Sequence, residues 1–374
     1  MPLNMLPNPS LWLALAGFLC LLGPLVFFHE LGHYSVARLF GIPAETFSIG
    51  FGRELVGWTD RQGTRWKIAW LPLGGYVKFV GDMSPASEPA DLETIPADLR
   101  DRVFHVRPVW QRFLVVLAGP AANFLLAITI YAAIFSIVSG PGTNKVGRID
   151  EKSAAAVAGF QSGDRIIAVA GRKTQTLDEV RVIVEPRANQ IVKIEYERGG
   201  SVAQVAVKVG HKELEDEAGR KVEVGFLGLG AAPISVFKAV PLATRQTFQI
   251  CVVIVEGAAK IIGGQGSRHD VGGPIKIAQF AGEAASLGVL PFVLLLALLS
   301  INLGFINLLP VPMLDGGHLF FYAVEAVRRR PLSSNALEWA FRGGFAMIIA
   351  LVLFTTVNDL GSLGLWERLQ RLIG

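Results

Sequence analysis

The sequence is poor in charge. Only 18% of its 374 residues are Asp, Glu, Lys or Arg, against 51% hydrophobic, and the mean hydropathy is +0.45. Soluble globular chains carry about 25% charged residues, so an ordinary soluble enzyme is excluded. Cysteine is scarce as well. Cys20 and Cys251 lie far apart and Cys20 sits in an apolar run, which excludes a disulfide-stapled scaffold. The basic surplus, 35 Lys and Arg over 31 Asp and Glu, is small and scattered, and no nucleic-acid partner is expected. The tail before residue 11 has no Lys or Arg, and the apolar run after it has no small-residue cleavage site, so a removable signal peptide is not expected.

What is there is long apolar sequence. Uncharged runs cover residues 11–28, 113–139, the stretch between Glu283 and Asp315, and residues 343–357, the last joined by Ala340 and Phe341 with Arg342 snorkelling. A polytopic α-helical membrane protein with four transmembrane helices is predicted. Arg38, Arg53, Arg61, Arg65, Lys67 and Lys78 follow the first run, and Arg328, Arg329 and Arg330 follow the third. By the positive-inside rule these segments face the cytoplasm, which puts both termini and residues 140–282 on the outer side. Residues 141–232 read as a small extracytoplasmic α+β domain with strands at 191–196 and 202–209. Residues 233–282 read as an amphipathic helix on the outer surface, over 236–262, and a linker. Residues 1–140 and 283–374 then hold helices one and two and helices three and four. The acidic, proline-containing residues 82–101 read as a cytoplasmic spacer.

The chemistry lies at the inner end of the first run. His29-Glu30-Leu31-Gly32-His33 is an H-E-x-x-H pattern, and positions i and i+4 share one helix face, so both imidazoles reach one metal. Ionisable groups at that depth are costly in lipid unless they ligate, pair or meet water. A catalytic zinc needs about three protein ligands and one open position. Asp315 is the best third candidate because its carboxylate balances the divalent charge, and His318 is a rival. Pro310 and Pro312 should unwind the third run just before Asp315, where Asn302 and Asn307 could offer hydrogen bonds to an extended peptide.

H-E-L-G-H on the first run and N-x-x-P-x-P-x-L-D-G-G-H on a later one resemble the site-2 protease family of intramembrane zinc metalloproteases, in its bacterial regulator-of-sigma-E form. Arg107-Pro-Val-Trp-Gln-Arg-Phe, Ala118-Gly119-Pro120 with Asn123, and Gly272-Gly273-Pro274-Ile275 extend the likeness along nearly the whole chain. The resemblance implies His29, His33 and Asp315 as ligands of one Zn2+, Glu30 as general base, and Asn307, with Asn302 less firmly, in substrate handling. It implies a bacterial inner-membrane location. The substrate would be a single-pass membrane protein, typically an anti-sigma factor already cut by an upstream site-1 protease. Residues 66–80 resemble a membrane-reentrant β-hairpin whose Gly74, Gly75, Tyr76 and Val77 would meet substrate. Residues 146–171 resemble a PDZ domain, with Gly225, Phe226, Leu227 and Gly228 as its carboxylate-binding loop, and there is room for one such domain rather than two. The readings that compete are a catalytically silent PDZ-bearing scaffold with structural zinc and, more weakly, a metal transporter.

Overall fold

The computed structural model describes residues 10–81, 95–97, 99–138, 140–215, 221–264 and 272–362. These fall into two compact units, one of residues 128–246 and one built from the sequence on either side of it. Most of the expected spacer at 82–101 lies outside the described residues.

The flanking unit begins with α1 (Leu11–Leu39), whose N-terminus is capped by Ser10 Oγ accepting the Leu13 N–H at 3.3 Å and whose last turn carries Arg38. Two long strands follow, β1 (Ala44–Thr59) and β2 (Arg65–Phe79). Asp60 builds the turn between them: its carboxylate accepts from the Gln62 N–H (2.8 Å), the Thr64 N–H (3.0 Å) and the Trp66 indole (2.9 Å). Residues 66–80, expected as a hairpin, do reverse direction, but around a partner that had not been foreseen: residues 65–68 and 75–78 run in opposite senses on either side of Thr46 to Ile49 of β1, and Gly74 in the reversal takes φ 121°. The side-chain cap at Asp60 shapes the separate turn between β1 and β2. Thr46, Phe47, Ser48 and Ile49 are each paired twice, with residues 65–68 on one side and 75–78 on the other, so residues 75–79 form an edge. Phe47, 1% exposed and stacked on Trp66 at 4.2 Å, anchors this sheet. Burying such a ring contributes roughly 1.5–3 kcal/mol.

Next comes α2 (Val109–Ile137), which carries the chain into the inserted unit. There β3 (Val146–Ile149), α3 (Ala154–Val157), β4 (Arg165–Val169), β5 (Arg172–Lys173), α4 (Leu177–Val184), β6 (Ile191–Arg198), β7 (Ser201–Lys208), β8 (Gly210–Glu215), β9 (Lys221–Phe226) and β10 (Leu229–Ala231) make an α+β domain. Its main sheet runs β5-β4-β6-β7, with β10 on β3 and β8 on β9 as smaller ladders. The β6–β7 turn uses Gly199 (φ 59°) and Gly200 (φ 85°), the left-handed pair that a two-residue hairpin requires. Val146, Ile166, Val169, Ile183, Val184 and Ile194 fill its core. Asp164, 1% exposed, takes two hydrogen bonds of 2.7 Å from Arg198, and these hold its carboxyl below the usual range.

The chain leaves through α5 (Val236–Ile262), followed by α6 (Pro274–Leu287), α7 (Val289–Asn307), α8 (Asp315–Arg328) and α9 (Ser334–Ser362). Among the described residues four helices are long and apolar enough to cross a membrane: α1, α2, α7 and residues 335–361 of α9. The third apolar run is therefore not one helix. Gly288, at φ 112°, separates α6 from α7, a conformation open to glycine and strained for other residues. The boundary expected at residue 282 also moves, since α6 runs across it and packs on α1, where Gly17 faces the Ala281 backbone and Ala281 joins Leu21 and Leu25 in one core. Gly272-Gly273-Pro274 now has a reason. The α6 N-terminus has no cap of its own, and Asp359 of α9 accepts the N–H groups of Gly273 (2.9 Å) and Lys276 (3.1 Å) across a gap that a Cβ on Gly273 would close.

Candidate active site

His29 and His33 lie one turn apart in the C-terminal half of α1, both at least half-buried, with Nε2 atoms 3.3 Å apart. His33 Nδ1 donates to the Val115 carbonyl of α2 at 2.9 Å, which fixes the tautomer and leaves Nε2 bare. Two glycines let α2 come this close. A Cβ on Gly119 would stand 2.2 Å from His33 Nε2, and one on Gly32 would stand 2.2 Å from the Ala118 carbonyl. The Ala118-Gly119-Pro120 stretch is thus a seat for the imidazole, a role its sequence did not announce.

Asp315 is the first residue of α8, where the helix dipole favours a carboxylate. The segment before it, residues 308–314, is not helical, as Pro310 and Pro312 demand, and Met313 there takes φ 80°. The first turn of α8 folds back on this segment so tightly that a Cβ on Gly316 would meet the Leu309 carbonyl at 2.2 Å and one on Gly317 the Val311 carbonyl at 2.4 Å. The two glycines after Asp315 are space requirements. Farther along, the Arg112 guanidinium of α2 pairs with Glu325 at 2.7 Å and lies over the Tyr322 ring, anchoring α8.

Asp315 Oδ2 stands 3.1 Å from His29 Nε2 and 3.4 Å from His33 Nε2. It is buried and makes no hydrogen bond. Among the described residues these three are the group whose donor atoms all lie within 4.8 Å of one another. Two imidazoles and one orphaned carboxylate oxygen converging on one point fit a divalent zinc-like ion with a coordination position left over. His318, the rival ligand, lies outside this trio, on the wall of the same cavity with its ring tilted against Phe341.

That cavity, about 780 Å³, brings His29, Glu30, His33, Asp315 and Asn307 together with Gly74, Gly75, Tyr76 and Val77 of the sheet edge. Gly75 packs against Glu30, where a Cβ would sit 3.1 Å from the Glu30 Cγ, and the Val77 N–H points at the Glu30 carboxylate. Asn302 is half-buried in α7 and is not part of the lining. In the inserted unit, Gly225, Phe226, Leu227 and Gly228 line a separate cavity of about 290 Å³ together with Leu177, Val180 and Arg181 of α4. Gly228 has φ 79°, and a Cβ there would meet Ser153 at 2.2 Å.

Two histidines one turn apart and a buried glutamate on a helix apolar enough to span a bilayer, with a carboxylate from the start of a second helix beside them, have the form of a membrane metallopeptidase centre. The chain belongs to peptidase family M50, whose profile matches residues 17–351. It is 43% identical over 355 residues to a Rhizobium meliloti protein named "Putative zinc metalloprotease", covering 92% of this chain and 95% of that one. It is 37% identical over 377 residues to the metalloprotease MmpA of Caulobacter vibrioides, again covering 92% and 95%. The PDZ domain of the SdrC-like protein of Listeria monocytogenes matches 24% of this chain and 85% of its own, with 19% identity and a TM-score of 0.19.

Proposed function

We propose that the protein is a zinc endopeptidase of the site-2 type that hydrolyses a peptide bond in or beside the transmembrane segment of a single-pass membrane protein. The observation that carries this reading is the shared cavity: the metal trio, Glu30, a strand edge and Asn307 face one space. A helical substrate hides its amides in its own hydrogen bonds, whereas an edge strand offers backbone partners to an extended one. Residues 75–79 would hold the substrate as an added strand, and Asn307, at the end of α7, would bond its backbone. His29, His33 and Asp315 would hold one zinc ion. When bound, the ion supplies a Lewis acid that polarises the scissile carbonyl and acidifies a water molecule. Glu30 takes the water's proton and delivers it to the departing amide nitrogen.

The basic segments favour an orientation with this centre towards the cytoplasm and with residues 141–232 and both termini outside the bacterial inner membrane. The α+β unit would act as a PDZ domain, its loop at Gly225 to Gly228 receiving a peptide C-terminus in the groove beside α4. Such an end is what an upstream protease leaves on a trimmed anti-sigma factor, which is the substrate class we assign. The test is co-expression with a candidate single-pass substrate, full-length and trimmed. Cleavage of the trimmed form by the wild type and not by Glu30→Gln is expected, and equal cleavage by both would refute the mechanism.

A further inference from the structure

The two imidazoles are not held alike. His33 Nδ1 meets a backbone carbonyl, which can only accept, so its proton is on Nδ1 and Nε2 is free for a metal. His29 Nδ1 instead meets the side-chain amide of Asn123, fully buried on α2, at 3.1 Å. As placed, the amide nitrogen faces the ring, while Asn123 Oδ1 is buried without a partner. That arrangement puts the His29 proton on Nε2, the atom 3.1 Å from Asp315 Oδ2, and a protonated Nε2 cannot ligate. The two ends of an amide are nearly isosteric, so a half-turn about the last side-chain bond exchanges them. Oδ1 then accepts from the His29 Nδ1–H, and the bare Nε2 points at His33 Nε2 and Asp315 Oδ2. Within the amide an unpaired Nδ2 replaces an unpaired Oδ1, and His29 gains the tautomer that metal binding requires. The α2 turn bearing Asn123 is itself held: Ser300 of α7, also fully buried, donates its hydroxyl to the Asn123 carbonyl at 2.8 Å.

We infer that Asn123 is a positioning residue of the metal centre, whose side-chain carbonyl fixes the tautomer and ring orientation of His29 and thereby sets metal affinity. This rests on the metal centre proposed above. Its competing role is packing between α2 and α7, and substitutions of similar shape separate the two. Asn123→Leu keeps the volume and removes the acceptor, whereas Asn123→Asp keeps the shape and is an acceptor only.

The experiment measures zinc affinity of the full chain in detergent by competition with a chromophoric chelator, and the ligand-field spectrum of the Co2+ form. Metal-free melting temperatures of all variants serve as the folding control. Loss of an outer-shell partner of a ligating histidine weakens metal binding about 10–100-fold. That loss is expected for Asn123→Leu, with a shifted Co2+ spectrum, while Asn123→Asp stays within about threefold of wild type. Wild-type affinity and spectrum in Asn123→Leu would overturn the inference and leave the centre standing. Equal loss in Asn123→Asp and Asn123→Leu would assign Asn123 to packing and overturn it as well. A wild type that binds no zinc would overturn both the inference and the centre.

Discussion

In the proposed mechanism Glu30 and the three ligands divide the chemistry between them, and the division can be measured residue by residue. Zinc content should fall in His29→Ala, His33→Ala and Asp315→Ala and persist in Glu30→Gln and His318→Ala. Turnover by Glu30→Gln should drop by about 10²–10⁴, the usual worth of a general base. Metal lost from His318→Ala but kept by Asp315→Ala would show that the third ligand is misassigned. In the inserted unit the Asp164–Arg198 pair makes a prediction of its own. The hydrogen bonds from Arg198 depress the Asp164 pKa. The stability this adds is present above the unfolded carboxyl value of about 3.9 and is lost as pH falls through the lower folded value. Hydrogen-exchange protection of β6 should therefore weaken from pH 5 towards pH 3 in the wild type. Arg198→Gln should start lower and vary less, and parallel profiles would rule the pair out as the cause.

Among the elements, the edge of β2 and the non-helical segment before α8 matter most, because they face each other across the cavity without supplying a ligand. Val77→Pro removes a backbone donor from that edge, and Asn307→Ala removes an amide from the facing wall. Both should slow cleavage with zinc content unchanged, and the loss should shrink for substrates whose spans contain Gly or Pro, which unwind at lower cost. Wild-type turnover by both variants would discard the strand-addition reading. Equal losses on helix-stable and helix-weakened substrates would keep Asn307 in binding and remove unwinding from its role. Here the limits of the sequence are visible. The prolines announced the break before Asp315, but the fold-back of residues 308–314 on Gly316 and Gly317 is a tertiary contact between backbones, which no local pattern encodes. In the same way the diglycine at 74–75 reads locally as part of a reversal, but the strand that the two arms clasp, Thr46 to Ile49 of β1, is a tertiary partner that the local pattern does not name.

At the scale of the whole molecule the orientation is open to a direct test. Single cysteines at exposed Gln62 and Lys173, in a chain freed of Cys20 and Cys251, should react with a membrane-impermeant reagent only from the cytoplasmic side for Gln62 and only from the outer side for Lys173. Reaction of both from one side would overturn the proposed topology. Four long apolar helices, an H-E-x-x-H face and a distant aspartate were legible in the sequence alone, because burial in lipid and i, i+4 geometry are local properties of a chain. Tertiary structure alone decided that Asp315 rather than His318 completes the trio, that Gly119 and Val115 seat His33, that Asn123 stands against His29, and that α6 breaks from α7 to pack on α1. Each of these depends on the close approach of helices far apart in sequence, and the distances that settle it, 2.9 Å at His33 and 3.1 Å at His29, exist only once the helices have packed.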